Sequence, residues 1–111
     1  MGTALLSDTE VSKSHFEHLA RLSQELGDDG IAVYCHRYDA LSFGSWVVEA
    51  GTRHRRVRVT YDGREGLLRL DDAVVNSNSS PTEWRERESQ VVTPTAAWDR
   101  AREVIVRSCR S

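Results

Sequence analysis

The two ends of the chain repeat apolar residues at helical spacing, whereas the stretch between them alternates apolar and polar residues. At the N-terminal end, Ser7 and Glu10 form a capping-box pattern, which predicts a helix that starts near Asp8 and stops at Gly27. At the C-terminal end, the Thr93-Pro94 pair supplies a hydroxyl cap and a first-turn proline, which predicts a second helix. Each helix has one apolar face, so we expect both to pack on a layer of strands.

Between the helices, alternation with a period of two predicts four antiparallel strands joined in a meander. The dipeptide Gly51-Thr52 predicts a two-residue hairpin turn between the second and third strands. That turn would pair Val48 with Arg55 and Trp46 with Val57. The same pattern directs Trp46, Val48 and Val57 toward the helices.

The third strand lies in the arginine-rich stretch at residues 53–66, where Val57, Val59 and Tyr61 alternate with basic and polar residues. Asp62-Gly63 predicts a turn of two or four residues, and residues 67–70 return as the fourth strand. Residues 76–81 are polar and predict a loop. Residues 82–92 predict a fifth, edge strand, with an irregular return as the alternative.

These elements predict one α+β domain over residues 1–111. It is a two-layer sandwich, in which the N- and C-terminal helices cover one face of an antiparallel meander of four to five strands. A chain of 111 residues with 39% hydrophobic residues can bury one modest core without a metal or disulfides. No run approaches the ~18 apolar residues of a membrane span. Cys35 and Cys109 form no C-x-x-C pattern, so we expect reduced thiols and a cytoplasmic protein.

The formal charge of −2 lacks the basic excess of a dedicated nucleic-acid-binding protein, so any basic surface must be local. Fourteen of the fifteen cationic residues are arginines, which suit planar contacts with carboxylates, phosphates or aromatic rings. A GC-rich genome would give the same bias. The histidines of the HFEH stretch, His15 and His18, do not match a zinc motif, so we expect no metal. His15 falls within the apolar stripe of the first helix, so we expect it to be a core histidine.

The sheet face turned away from the helices is the main functional signal in the sequence. Alternation places on it the aromatic side chains of the first two strands and the guanidinium groups of the next two. The predicted binding residues are Tyr34, His36, Tyr38, Phe43, His54, Arg56, Arg58 and Arg69, with Val47 and Leu67 beside them. Aromatic and arginine residues supply much of the energy of protein interfaces, and they also stack on single-stranded nucleic acid. A solvated sheet face with no ligand fits the same pattern.

These observations predict a non-enzymatic binding domain, of the kind found among small bacterial adaptor, chaperone-like or toxin-neutralising proteins. The expected partner is a protein, with homodimerisation across the same face as one form. Acidic residues near the sheet edge favour a protein over phosphate; they are Asp71, Asp72, Glu83, Glu86 and Glu88. Single-stranded nucleic acid or a small anion is the alternative ligand. A small enzyme that uses His36 and His54 is less favoured, because no catalytic or cofactor motif accompanies them.

Overall fold

The computed structural model of the chain describes residues 8–75 and 83–110. The elements are α1 (Asp8–Asp28), β1 (Ala32–Asp39), β2 (Ser45–Gly51), β3 (Arg55–Asp62), β4 (Leu67–Val74), β5 (Arg85–Val91) and α2 (Pro94–Arg110). The strands form one antiparallel sheet in the order β1-β2-β3-β4-β5, with both helices on one face. The predicted α+β fold is therefore confirmed, including the fifth strand. The capping residue Ser7 and the loop predicted at residues 76–81 lie outside the described residues.

Helix α1 ends at Asp28, within one residue of the expected stop, but a different glycine caps it. The residue in the left-handed conformation is Gly30, with φ of 76°, and not Gly27. The backbone N–H of Ile31 donates to the carbonyl of Leu26, and that of Gly30 donates to the carbonyl of Gly27. This pair of bonds satisfies the last carbonyls of the helix, and the buried side chains of Leu26 and Ile31 lie on either side of the turn.

Helix α2 begins as predicted. The backbone N–H of Ala96 donates to the hydroxyl of Thr93 at 3.2 Å, and Pro94 occupies the first helical position. The buried face of α2 contains two fully buried alanines, Ala97 and Ala101, whose small side chains let the helix approach the sheet closely. The core between the layers consists mainly of Leu, Val, Ile and aromatic side chains from α1, α2 and the inner face of β2–β4.

The β2–β3 hairpin has a different register from the predicted one. Trp46 lies opposite Tyr61, and Val48 lies opposite Val59, so the pairings with Val57 and Arg55 are wrong. Gly51 is the last residue of β2 rather than a turn residue. A side chain at this position would overlap the carbonyl of Arg55, which explains the glycine. The shift of four residues is even, so the paired residues of β2 and β3 keep their predicted faces.

The β3–β4 turn is the four-residue alternative. Asp62 pairs with Leu67 at its base, and the Asp62 carboxylate accepts hydrogen bonds from the backbone N–H groups of Arg64 and Glu65. Gly66 has φ of 64°, a conformation that glycine adopts without strain. This turn fixes the β3–β4 register, and with it the ion pairs of the opposite sheet face.

Strand β1 contains a bulge that the alternation did not predict. Val33 pairs with Ala50 and Cys35 pairs with Glu49, so Tyr34 is an extra residue. The bulge reverses the alternation for the rest of the strand. The predicted face is therefore wrong for His36 and Tyr38, which lie opposite Val48 and Trp46 and point toward the helices. Cys35, which pairs with Glu49, lies on the sheet face turned away from the helices.

Candidate functional site

The sheet face opposite the helices, called the open face here, is defined by the strand register. One row of register partners crosses all five strands: Cys35, Glu49, Arg58, Asp71 and Glu86. The rows beside it contain polar and apolar residues whose exposure ranges from buried to exposed; they are Arg37, Val47, Thr60 and Arg69 toward one end, and Gly51, Arg56 and Ala73 toward the other. Arg56, Arg58, Arg69, Val47 and Leu67 thus lie on the face that the sequence predicts.

A buried carboxylate organises the arginines of the open face. Asp71 is only 4% exposed, and its Oδ2 lies 3.3 Å from Nε of Arg69 and 3.6 Å from Nε of Arg58. The shorter distance is a hydrogen bond, and the longer one is an ionic contact. Glu49 lies opposite Arg58 on β2. The positive charges of Arg58 and Arg69 are therefore largely balanced within the sheet.

Two arginines of the open face have their guanidinium groups over aromatic rings. The guanidinium carbon of Arg56 is 3.5 Å from the ring centroid of Tyr34, and that of Arg58 is 4.5 Å from the centroid of Trp84. In such cation–π contacts the guanidinium group is attracted to the face of the aromatic ring. The bulge places Tyr34 in this contact, since the extra residue turns its ring toward β3. The open face thus has two Arg–aromatic pairs, one with a ring from β1 and the other with a ring from the segment before β5.

The Cys35 thiol does not have the properties of a nucleophile. Local desolvation first, and then the Glu49 carboxylate, which accepts a hydrogen bond from the thiol, raise its pKa although much of the residue is exposed. The thiol therefore remains protonated at neutral pH, and thiolate is the reactive form of cysteine.

His36 and Tyr38 are half-buried and belong to an aromatic cluster between α1, β1 and α2, at the centre of which His15 is buried. The ring of His15 stacks on Tyr38 with centroids 3.8 Å apart, and its Nε2 lies 2.7 Å from Nε2 of His36. His18 stacks on Trp98 of α2. Burial, then His36 and His18, lower the pKa of His15 to about 4. Burial also lowers the pKa of His36. The interpretation of His15 as a core histidine is therefore confirmed.

Two further predicted binding residues lie in turns and not on the open face. Phe43 is in the β1–β2 hairpin, with φ of 58°. His54 is exposed in the β2–β3 turn, where its carbonyl accepts a hydrogen bond from the N–H of Val75. Because His36 faces the helices and His54 lies in a turn, the structure does not bring these two histidines together on one sheet face.

Sequence reasoning missed Trp84 and the role of Asp71. The four-residue turn after Asp62 was an open alternative, and counting back from it places Asp71 opposite Arg58. The signal for the ion pair was therefore present. Trp84 precedes β5, and its contact with Arg58 depends on how the chain approaches that strand, which the sequence does not specify. Asp72, on the helix side, likewise lies within ion-pair distance of Arg55 and Arg87.

In residues 8–75 and 83–110, no group of three or more His, Cys, Asp or Glu side chains is arranged to hold a metal ion. Neither described helix is long and apolar enough to cross a membrane. No protein-family model, no curated protein and no solved structure matches this chain. The functional conclusion therefore depends on the geometry of the open face.

Proposed function

We propose that the chain is a non-enzymatic protein-binding domain that engages another protein through its open face. The observation that carries this proposal is the buried carboxylate of Asp71 between Arg58 and Arg69. It pairs with these arginines in a surface of mixed charge, in which the guanidinium groups of Arg56 and Arg58 lie over the rings of Tyr34 and Trp84. Aromatic and arginine side chains are typical of the anchors of protein interfaces.

Charge favours a protein over nucleic acid as the partner. The three rows of the open face named above combine four arginines with three carboxylates; these are Arg37, Arg56, Arg58 and Arg69, with Glu49, Asp71 and Glu86. Nucleic-acid affinity depends on uncompensated cations that displace counterions from phosphates. A face on which carboxylates lie among the arginines repels phosphates, whereas a protein surface can match both signs.

The proposed partner is a different protein. The chain itself would be an adaptor, a chaperone-like protein or a toxin-neutralising protein. The cysteines support a reducing compartment such as the cytoplasm, because Cys35 and Cys109 are both unpaired thiols. We propose no cofactor.

Affinity capture with a matched pair of variants tests the proposal. We expect nuclease-treated lysate to yield a protein that binds the wild type and is lost when Tyr34→Ala is combined with Arg56→Ala. Arg64→Ala, in the exposed β3–β4 turn, is the control that should retain it. Binding should weaken little between about 50 and 200 mM salt, because few phosphate contacts are involved. Loss of the captured material on nuclease treatment, or a steep loss with salt, would favour nucleic acid. Equal capture of the partner by all variants would exclude the open face as the binding surface.

A further inference from the structure

We propose that the exposed edge of β1 binds an extended peptide segment of a partner protein, which adds to the sheet as a sixth strand. The favoured peptide has apolar and acidic side chains in alternation. This inference rests on the proposed function, because it requires a protein partner, but it concerns the strand edge and not the open face. Strand addition is a common mode of peptide recognition, since the edge supplies unpaired backbone groups.

The two edge strands of the sheet, β1 and β5, differ in how strongly they discourage the addition of another strand. Residues 85–88 of β5 are four consecutive charged residues, and Arg87 is tied to Asp72 at 3.2 Å. Charged side chains on an edge strand discourage the addition of another strand. Within β1 the charged residues are Arg37 and Asp39. Among the described residues, β2 is the strand that pairs with β1, so its other side is an open edge.

Phe16 supplies an apolar contact on the helix side of this edge. It is 52% exposed, and its ring centroid lies 5.8 Å from that of His36 and 6.1 Å from that of Tyr38. His18, on the other side of α1, stacks on Trp98 of α2, so Phe16 projects away from α2 and toward the outer side of β1. An apolar side chain of an added strand would cover this ring.

Arg37 supplies a charged contact on the opposite side of the edge. It lies opposite Val47, in an open groove of about 570 Å³ that Val47 and Thr60 also line. Arg37 has no ion-pair partner among the described residues. The nearby Asp39 carboxylate instead accepts hydrogen bonds from the N–H groups of Leu41 and Ser42 and from the Ser42 hydroxyl. An acidic side chain of the added strand would pair with Arg37.

The bulge limits where a strand can add. Regular pairing with β2 resumes at Cys35 and continues to Asp39, so the receptive segment is residues 35–39. Successive side chains of an added strand point to opposite sides of the sheet. One side of the peptide would therefore meet Phe16, and the next residue would meet Arg37. This geometry is the reason for the proposed apolar–acidic alternation.

Fluorescence anisotropy with labelled seven-residue peptides tests the proposal. The probes are a peptide of alternating valine and glutamate, a peptide of alternating valine and lysine, and a valine–glutamate peptide with the same composition in blocks. We expect the alternating valine–glutamate peptide to bind best. Arg37→Glu should weaken it at least tenfold and strengthen the lysine peptide. Phe16→Ala should weaken both alternating peptides, and Arg64→Glu is the control for net charge.

Amide hydrogen exchange adds a backbone readout, because strand addition should protect amides within residues 35–39. Failure of the alternating valine–glutamate peptide to bind at millimolar concentration, or equal binding to the wild type and Arg37→Glu, would overturn the proposal. A stable dimer by sedimentation that Phe16→Ala dissociates would identify a second copy as the occupant instead. Tyr34→Ala with Arg56→Ala separates this proposal from the proposed function, because it should abolish partner capture and leave peptide binding intact.

Discussion

The Nε2 atoms of His15 and His36 lie 2.7 Å apart, so one ring donates a hydrogen bond and the other accepts it. His15 is 6% exposed, and its ring contacts Tyr38 on β1 and Trp98 on α2. A proton added to either ring would give the pair a charge in a buried site. Two charged rings would place two N–H donors against each other. The packing of α1 on β1 therefore favours neutral histidines and opposes a pair in which both rings are charged.

The pH dependence of stability follows from this pair. Burial, then His36 and His18, hold the pKa of His15 at about 4, whereas its ordinary value is 6.5. The unfolded chain thus binds a proton at a higher pH than the folded chain. We expect the contribution of His15 to stability to be constant above about pH 6.5 and to fall by about 3 kcal/mol as the pH drops to about 4. Urea unfolding across this pH range measures it.

His15→Phe is the variant that isolates this effect, because it keeps an aromatic ring against Tyr38 and removes the titrating group. Its stability should fall less between about pH 6.5 and 4 than that of the wild type. His54→Gln, in an exposed turn, should retain the wild-type slope. Identical pH profiles for His15→Phe and the wild type would show that His15 is not the responsible group.

Replacement of Asp71 by asparagine should destabilise the fold by about 1–3 kcal/mol. It removes a buried charge that balances Arg58 and Arg69, and breaking such a pair from one side leaves uncompensated charge. The control is Glu103→Gln, which breaks the exposed pair with Arg100 and should change stability by less than about 1 kcal/mol. Urea midpoints compare the two; equal effects would contradict a structural role for Asp71.

Arg56 and Arg58 should differ in their effect on stability although both lie on the open face. Arg56 stacks on the partly exposed Tyr34, so Arg56→Ala should change the free energy of unfolding by about 0.5 kcal/mol or less. Arg58 pairs with buried Asp71, so Arg58→Ala should cost about 1–3 kcal/mol. Thermal and urea unfolding of the two single variants check this. A larger loss from Arg56→Ala would show that the Tyr34 stack is structural.

Gly51→Ala should be strongly destabilising, because the added methyl group would overlap the backbone carbonyl of Arg55. The matched control is Gly27→Ala in α1, where a methyl group meets no atom within 4 Å. That substitution should be neutral or stabilising by up to about 1 kcal/mol, since alanine favours helices. Differential scanning calorimetry of the two variants gives the comparison. A stable Gly51→Ala protein would contradict the close approach in the β2–β3 hairpin.

The fold was predictable because the signals for it are local. Period-two alternation identified the strands, and Thr93 with Pro94 marked the start of α2. The error in the β2–β3 register arose because Gly51 fits both a hairpin turn and a close backbone approach. The turn interpretation gave the right faces only because the register error is an even number of residues.

The open face was predictable on β3 and β4 but not on β1. A bulge adds one residue to a strand and requires no particular residue type. The residues around Tyr34 therefore have the same pattern as a regular strand. As a result, His36 and Tyr38 were assigned to the wrong face. Trp84 was missed because its position depends on the chain before β5 and not on alternation within a strand.

The affinity of the purified partner for single variants of the open face tests the central claim most directly. Isothermal titration calorimetry should give a Kd at least tenfold weaker for Tyr34→Ala and for Arg56→Ala than for the wild type, with melting temperatures nearly unchanged. Arg64→Ala should bind as the wild type does. Equal affinity of all four proteins for the partner would contradict the assignment of the open face as the binding surface.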